Sequence, residues 1–73
     1  MMSILSEKRR ADAMRQFSTY PESEYWMGYR IGLTGDSPQA DVLIAMIGSD
    51  DRGRDARGRG YRDGCGYRRA HAA

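Results

Sequence analysis

The stretch that decides the fold is MGYRIGLTGDSP, residues 27–38. Three glycines, Gly28, Gly32 and Gly35, punctuate a run whose other residues favour helix. Glycine inside a helix costs roughly 0.5–1 kcal/mol relative to alanine, so Gly28 and Gly32 together give up about 1–2 kcal/mol. Close approach of another helix, or of an RNA backbone, to a bare backbone strip offsets that loss. At about 100° per residue, Tyr25, Trp26, Tyr29, Gly32 and Leu33 share one sector of the helical wheel. Gly28 and Gly35 border that sector, while Ser23, Arg30 and Thr34 face away. The reading is an aromatic helix face edged by glycine, and helix–helix packing is the commoner reason for such an edge. Pro21 suits the first helical position, Glu22 and Glu24 suit the positive end of the dipole, and Gly35 is expected just past the helix end in the left-handed conformation.

Outward from this helix the chain keeps its helical punctuation. Residues 3–18 read as a helix capped by Ser3, with a thin apolar stripe of Ile4, Leu5, Ala13, Met14 and Phe17, which makes it peripheral or partner-bound. In DSPQADVLIAMIG, residues 36–48, Asp36 or Ser37 serves as cap, Pro38 as first residue and Gly48 as stop. That punctuation favours a helix over 38–47, although the composition alone also admits a strand. Val42, Leu43, Ile44 and Ile47 put apolar groups on nearly every side of it, more than one neighbour can cover, so this helix is the expected surface for a homodimer or a protein partner. The last segment carries glycines at 53, 58, 60, 64 and 66. Helix is expected over about 50–63 with a loose end after Gly64, giving one domain over 1–64 and a flexible basic tail over 65–73. The fold class is all-α: a small bundle of three or four short helices with an Arg/Gly-rich C-terminal segment.

The motif occurs twice. GYRIG at 28–32 is echoed by GYRDG at 60–64, and in a segment this rich in glycine and arginine coincidence is an equal alternative. The pattern resembles the ribosome modulation factor family, whose first helix reads Arg-Gly-Tyr-x-x-Gly-x-x-Gly and whose second reads Trp-x-x-Gly-Trp-x-x-Gly. Gly28, Tyr29, Gly32 and Gly35 supply the first motif, and Gly60, Tyr61 and Gly64 fall in register with the second, with Arg57 where the family has its first tryptophan. The Cys-Pro-Tyr or Asn-Pro-Tyr loop element of the family has no counterpart here, and the chain adds an N-terminal helix and a longer apolar connection. The resemblance implies two helices packed across their glycine strips, contact with RNA of the small ribosomal subunit, and a role in hibernation and translation control.

Charge divides the chain. The net charge is +2, but residues 31–50 hold three acidic and no basic side chains, while residues 51–73 hold seven arginines against three aspartates. Arginine forks onto phosphate and stacks on bases better than lysine does. Arg30, Arg52, Arg54, Arg57, Arg59, Arg62, Arg68 and Arg69, with Tyr61, are therefore the candidate RNA-binding residues. For Tyr25, Trp26, Tyr29 and Tyr61 a small aromatic core competes with base stacking, and core is favoured for most of them. With one cysteine, Cys65, there is no internal disulfide, and no Cys/His spacing points to zinc. Cys65 and His71 lack an acid to orient a catalytic pair, and no paired carboxylates or phosphate loop occur. No catalytic residue, metal or cofactor is expected, nor a small-molecule substrate. VLIAMI, residues 42–47, is too short to span a bilayer, and MMSILSEKRRADAMRQF has no signal-peptide core, so the expected location is cytoplasmic. The expectation is a non-enzymatic ribosome- or RNA-binding modulator. The alternative is a small protein-binding inhibitor or adaptor of phage or plasmid type, acting through helix 38–47 and the Tyr/Trp face.

Overall fold

The computed structural model describes residues 3–72 and contains four helices and no strand among them: α1 (Ile4–Gln16), α2 (Glu22–Thr34), α3 (Ala40–Ala45) and α4 (Arg52–Ala70). The glycines explain the arrangement. A Cβ placed on Gly28 would collide with the carbonyl of Arg57 and lie 2.9 Å from the amide of Tyr61. One placed on Gly60 would collide with the carbonyl of Tyr25 and lie 2.9 Å from the amide of Tyr29. In both directions the glycine meets the residue three before, and the residue one after, its counterpart in the other motif. Gly32 repeats the pattern on Tyr61 and Cys65, and Gly64 meets the Tyr29 carbonyl. The two Gly-Tyr-Arg-x-Gly copies are thus an approximate two-fold pair, pressed together backbone to backbone with no room for side chains.

The contacts advance along both helices together, so α2 and α4 run in the same direction. A parallel pair requires the chain to return along its length, about 20 Å for a thirteen-residue helix. Residues 35–51 make that return and carry α3; its Leu43 carbonyl, and the Ile47 side chain in the turn that follows it, sit where a Cβ on Gly58 would go, at 2.6 and 2.9 Å. On the far side of α2 lies α1. Each motif tyrosine is the centre of one core cluster. Tyr29 packs with Ala11 and Leu33, flanked by Tyr25, Trp26 and Tyr67. Tyr61 packs with Leu43 and Cys65, flanked by Ile31, Ala40 and Met46. Their hydroxyls are also spoken for: Tyr29 donates to the buried carboxylate of Glu7 on α1, and Tyr61 accepts the Ser37 amide at 3.2 Å. Trp26 stands edge-on to both Tyr25 (5.0 Å, 89°) and Tyr29 (5.4 Å, 74°), with the Arg10 guanidinium 5.2 Å above its ring.

Several sequence expectations are corrected here. α4 does not stop at Gly64 but continues to Ala70, because Cys65 is buried against α3 and Arg68 donates to the Gly32 carbonyl at 3.0 Å. Residues 65–70 therefore belong to the packed unit rather than to a tail. The helix expected at 38–47 is shorter, Ala40–Ala45, since the Ser37 hydroxyl takes the Gln39 amide in a turn and Gly48 leaves it at φ 89°. Gly35 ends α2 as expected, but at φ 151° and ψ −176°, an extended conformation on the positive-φ side and not the left-handed helical one. A Cβ there would meet nothing within 4 Å, so Gly35 is no part of the packing strip. α1 docks through Ala11 and Glu7 rather than through the apolar stripe: Phe17 is 84% exposed, and Leu5 is exposed as well.

Candidate nucleic-acid interface

α4 sorts its seven arginines by direction. Arg57 and Arg68 point at α2 and hold its two ends. Arg57 places Nε and Nη2 on Glu24 Oε2 at 3.0 and 2.9 Å, in the first turn of α2. Arg68 reaches the other end, with Nε on the Gly32 carbonyl, one of the C-terminal groups that no helical amide can satisfy, and Nη2 on Asp36 at 2.7 Å. Arg30 is likewise engaged, donating to Asp12 at 3.2 Å and Thr34 at 2.9 Å on the α1 side. Tyr61 is 3% exposed with its ring between α3 and α4, which removes it from any stacking role. These four members of the candidate set serve the fold.

Arg52, Arg59, Arg62 and Arg69 form the opposite group. At successive spacings of seven, three and seven they fall on one side of α4, and all four are exposed. The row is about 25 Å long at 1.5 Å per residue. Its ion pairs run from 2.8 to 3.3 Å, each with its arginine exposed. Arg59 pairs with Asp55 at 2.8 Å, Arg62 with Asp63 at 3.2 Å, and Arg69 with Asp36 at 3.3 Å on a carboxylate that Arg68 already holds. Arg52 has no carboxylate partner among the described residues, nor does Arg54, which is exposed near the same helix end. Exposed pairs of this kind contribute about 0–1 kcal/mol, so an incoming phosphate displaces them at little cost. The first turn of α4 is secured by Asp51, whose Oδ1 accepts the Gly53 and Arg54 amides at 2.9 and 3.1 Å and the Tyr20 hydroxyl at 2.8 Å. The Tyr20 hydroxyl, followed by those amides, holds that carboxyl below the ordinary aspartate value.

Beside the row, between α4 and the start of α2, lies a cleft of about 480 Å³. Tyr25, Trp26, Pro21 and Ala56 provide its apolar wall, and Arg52, Arg59 and Arg62 stand at its mouth. The Tyr25 hydroxyl donates to Asp63 Oδ2 at 2.7 Å. Burial first, then that carboxylate, push the Tyr25 phenol up to about 12, so it stays protonated at neutral pH. Sequence reasoning placed Tyr25 and Trp26 on one helix face but not beside these arginines, since the juxtaposition depends on the parallel pairing of α2 with α4. Of the expected partner-binding residues, Leu43 is buried and Ile47 half-buried against Gly58, while Val42 (57%) and Ile44 (44%) remain exposed. Cys65 is buried, and His71 lies outside, stacked on Tyr67 at 4.0 Å. No helix among the described residues is long and apolar enough to cross a membrane, and no group of three or more His, Cys, Asp or Glu among them could hold a metal ion. Compared with protein-family models, curated proteins and solved structures, the chain matches none.

Proposed function

We propose that this protein is a non-enzymatic RNA-binding modulator that docks on the ribosome, as its resemblance to the ribosome modulation factor family implies, and acts in the cytoplasm on translation. The observation that carries the reading is the row Arg52, Arg59, Arg62 and Arg69, exposed along one helix, with Arg52 unpaired among the described residues and the other three in solvent-exposed ion pairs. Four guanidinium groups over about 25 Å match a run of backbone phosphates, which supplies affinity without reading sequence. Support also comes from the close pairing of the Gly-Tyr-x-x-Gly helices, the architecture the resemblance implies.

A second reading, a protein partner or a second copy bound through α3, is favoured by exposed Val42 and Ile44. It is the weaker one, because Leu43 turns inward and the two exposed side chains are separated on a helix of six residues. Sedimentation of the tagged protein from a lysate of the cells that produce it tests the leading reading. The protein should travel with ribosomal particles at low salt and leave them at high salt, and Arg52→Glu with Arg59→Glu should leave it at the top of the gradient. A wild-type protein that stays at the top under all conditions refutes the ribosomal assignment.

A further inference from the structure

The arginine row explains affinity for phosphate, but not why an aromatic cleft opens beside it. Tyr25 and Trp26 are half-buried, and both line the cleft together with Pro21 and Ala56. Its volume, about 480 Å³, falls in the range of small-ligand sites. The charges at its mouth differ in their availability. Asp63 uses one oxygen for the Tyr25 hydroxyl and the other for Arg62. Asp55 uses one for the Gly48 amide and the other for Arg59. The side chains of Glu22 and Arg52 have no hydrogen-bond or ion-pair partner among the described residues, although both line the cleft. The open site thus offers an aromatic wall, a free guanidinium for an anion, and a free carboxylate that accepts from an amino or imino group.

We propose that this cleft receives one unpaired nucleotide of the bound RNA, with its base against Tyr25 and Trp26 and its phosphate at Arg52 and Arg59. The proposal rests on the RNA reading and adds what the arginine row alone does not give, a requirement for single-stranded nucleic acid. A paired base must break its pair and leave its stack to enter, whereas an unpaired one is already free to do so. Stacking of a base on an aromatic ring tolerates any sequence.

Trp26 is the only tryptophan of the chain, so its fluorescence reports the cleft directly. The wild-type protein is titrated with a labelled ten-nucleotide single strand of mixed sequence and with the same sequence as a blunt duplex, following anisotropy and tryptophan emission together. The single strand should quench Trp26 in step with the anisotropy rise, and the duplex should raise anisotropy without quenching. Tyr25→Leu should weaken single-strand binding roughly 10-fold and leave duplex binding unchanged. Tyr25→Phe, which keeps the ring and loses only the hydroxyl bond to Asp63, should bind like wild type. Binding of the single strand without quenching overturns the cleft proposal while the RNA reading stands, and so does Tyr25→Leu binding at wild-type affinity. Absence of any anisotropy change with either RNA overturns the RNA reading and the cleft proposal with it. The quenching arm needs no variant, so a Tyr25→Leu protein that fails to fold does not block the test.

Discussion

Gly32→Ala in a helix interior should be stabilising by propensity alone, by up to about 1 kcal/mol. The helix pair reverses that sign. A Cβ on Gly32 would lie 2.5 Å from the Tyr61 carbonyl oxygen and 2.7 Å from the Cys65 amide nitrogen, against an ordinary contact distance of at least 3.4 Å. Both obstacles are backbone, so no rotamer change relieves them and the helices must separate by about 0.9 Å at that point. A gap of about 0.5–1 Å forfeits a quarter to a half of the dispersion attraction along the seam, and overpacking of this kind costs about 1–3 kcal/mol. Set against the propensity gain, the expected net loss is about 1 kcal/mol, or roughly 4–8 °C in melting temperature for a chain of this size. Gly66 provides the matched control. It lies in the same helix as the second motif, is exposed, and a Cβ there would meet nothing within 4 Å. Gly66→Ala should therefore stabilise by about 0.5–1 kcal/mol. Thermal and urea unfolding followed by circular dichroism gives both numbers. If the two variants shift stability in the same direction, the glycine seam is not what joins α2 to α4.

Three further outcomes follow from other contacts. The Arg10 guanidinium, aided by the Tyr29 hydroxyl, holds the Glu7 carboxyl below its ordinary 4.5; its contribution is therefore whole above about pH 4.5 and lost as pH falls through the lower folded value. Urea midpoints should show Glu7→Gln less stable than wild type at pH 7 and the gap narrowing as pH falls below 4.5, so a gap independent of pH refutes the role given to this pair. Arg68→Ala strands the Gly32 carbonyl and should cost about 1–2 kcal/mol, while Arg69→Ala, at the exposed end of the shared Asp36 pair, should stay within about 0.5 kcal/mol; equal losses in urea unfolding would contradict the division of labour between them. Ile44→Asp, on the exposed side of α3, should leave RNA affinity unchanged and return any self-associated form to monomer by light scattering, and association that survives it excludes α3 as the contact.

Local chemistry was legible in the sequence where it is settled by neighbours in the chain. Ser3 caps α1 by accepting the Ser6 amide at 3.0 Å, and the second helix begins at Glu22, one residue after the Pro21 expected to open it, with Glu22 and Glu24 in its first turn. The glycine edge of that helix announced a packed partner; the Gly-Tyr-Arg-x-Gly echo left coincidence open, and only the fold shows the two copies pressed together. The end of α4 was not legible, because Gly64 and Gly66 by propensity read as helix breakers. The compensation comes from packing, where Gly64 presses on the Tyr29 carbonyl and Cys65 enters the α3 cluster. The arginines show the same boundary at the candidate site. Their number marks α4 as basic, but Arg57 is consumed by Glu24, 33 residues away, and Arg68 by Asp36, 32 residues away. Only the fold separates these two from Arg52, Arg59, Arg62 and Arg69. For α1, hydrophobicity pointed to the wrong side: Ala11 and Glu7 are buried because a small residue and a paired carboxylate let the helix settle on Tyr29, while Phe17 finds no place against α2.

The salt dependence of affinity for single-stranded RNA tests the central claim most directly, because it counts phosphate contacts. Neutralising one phosphate on a single strand contributes a slope of about −0.7 to log K against log salt, so the four arginines of the row should give about −2.8. Arg52→Ala with Arg59→Ala should reduce the slope to about −1.4, and Arg54→Ala, off the row, should leave it unchanged. A wild-type slope near zero, or the same slope with and without Arg52 and Arg59, would contradict the assignment of this helix face to RNA.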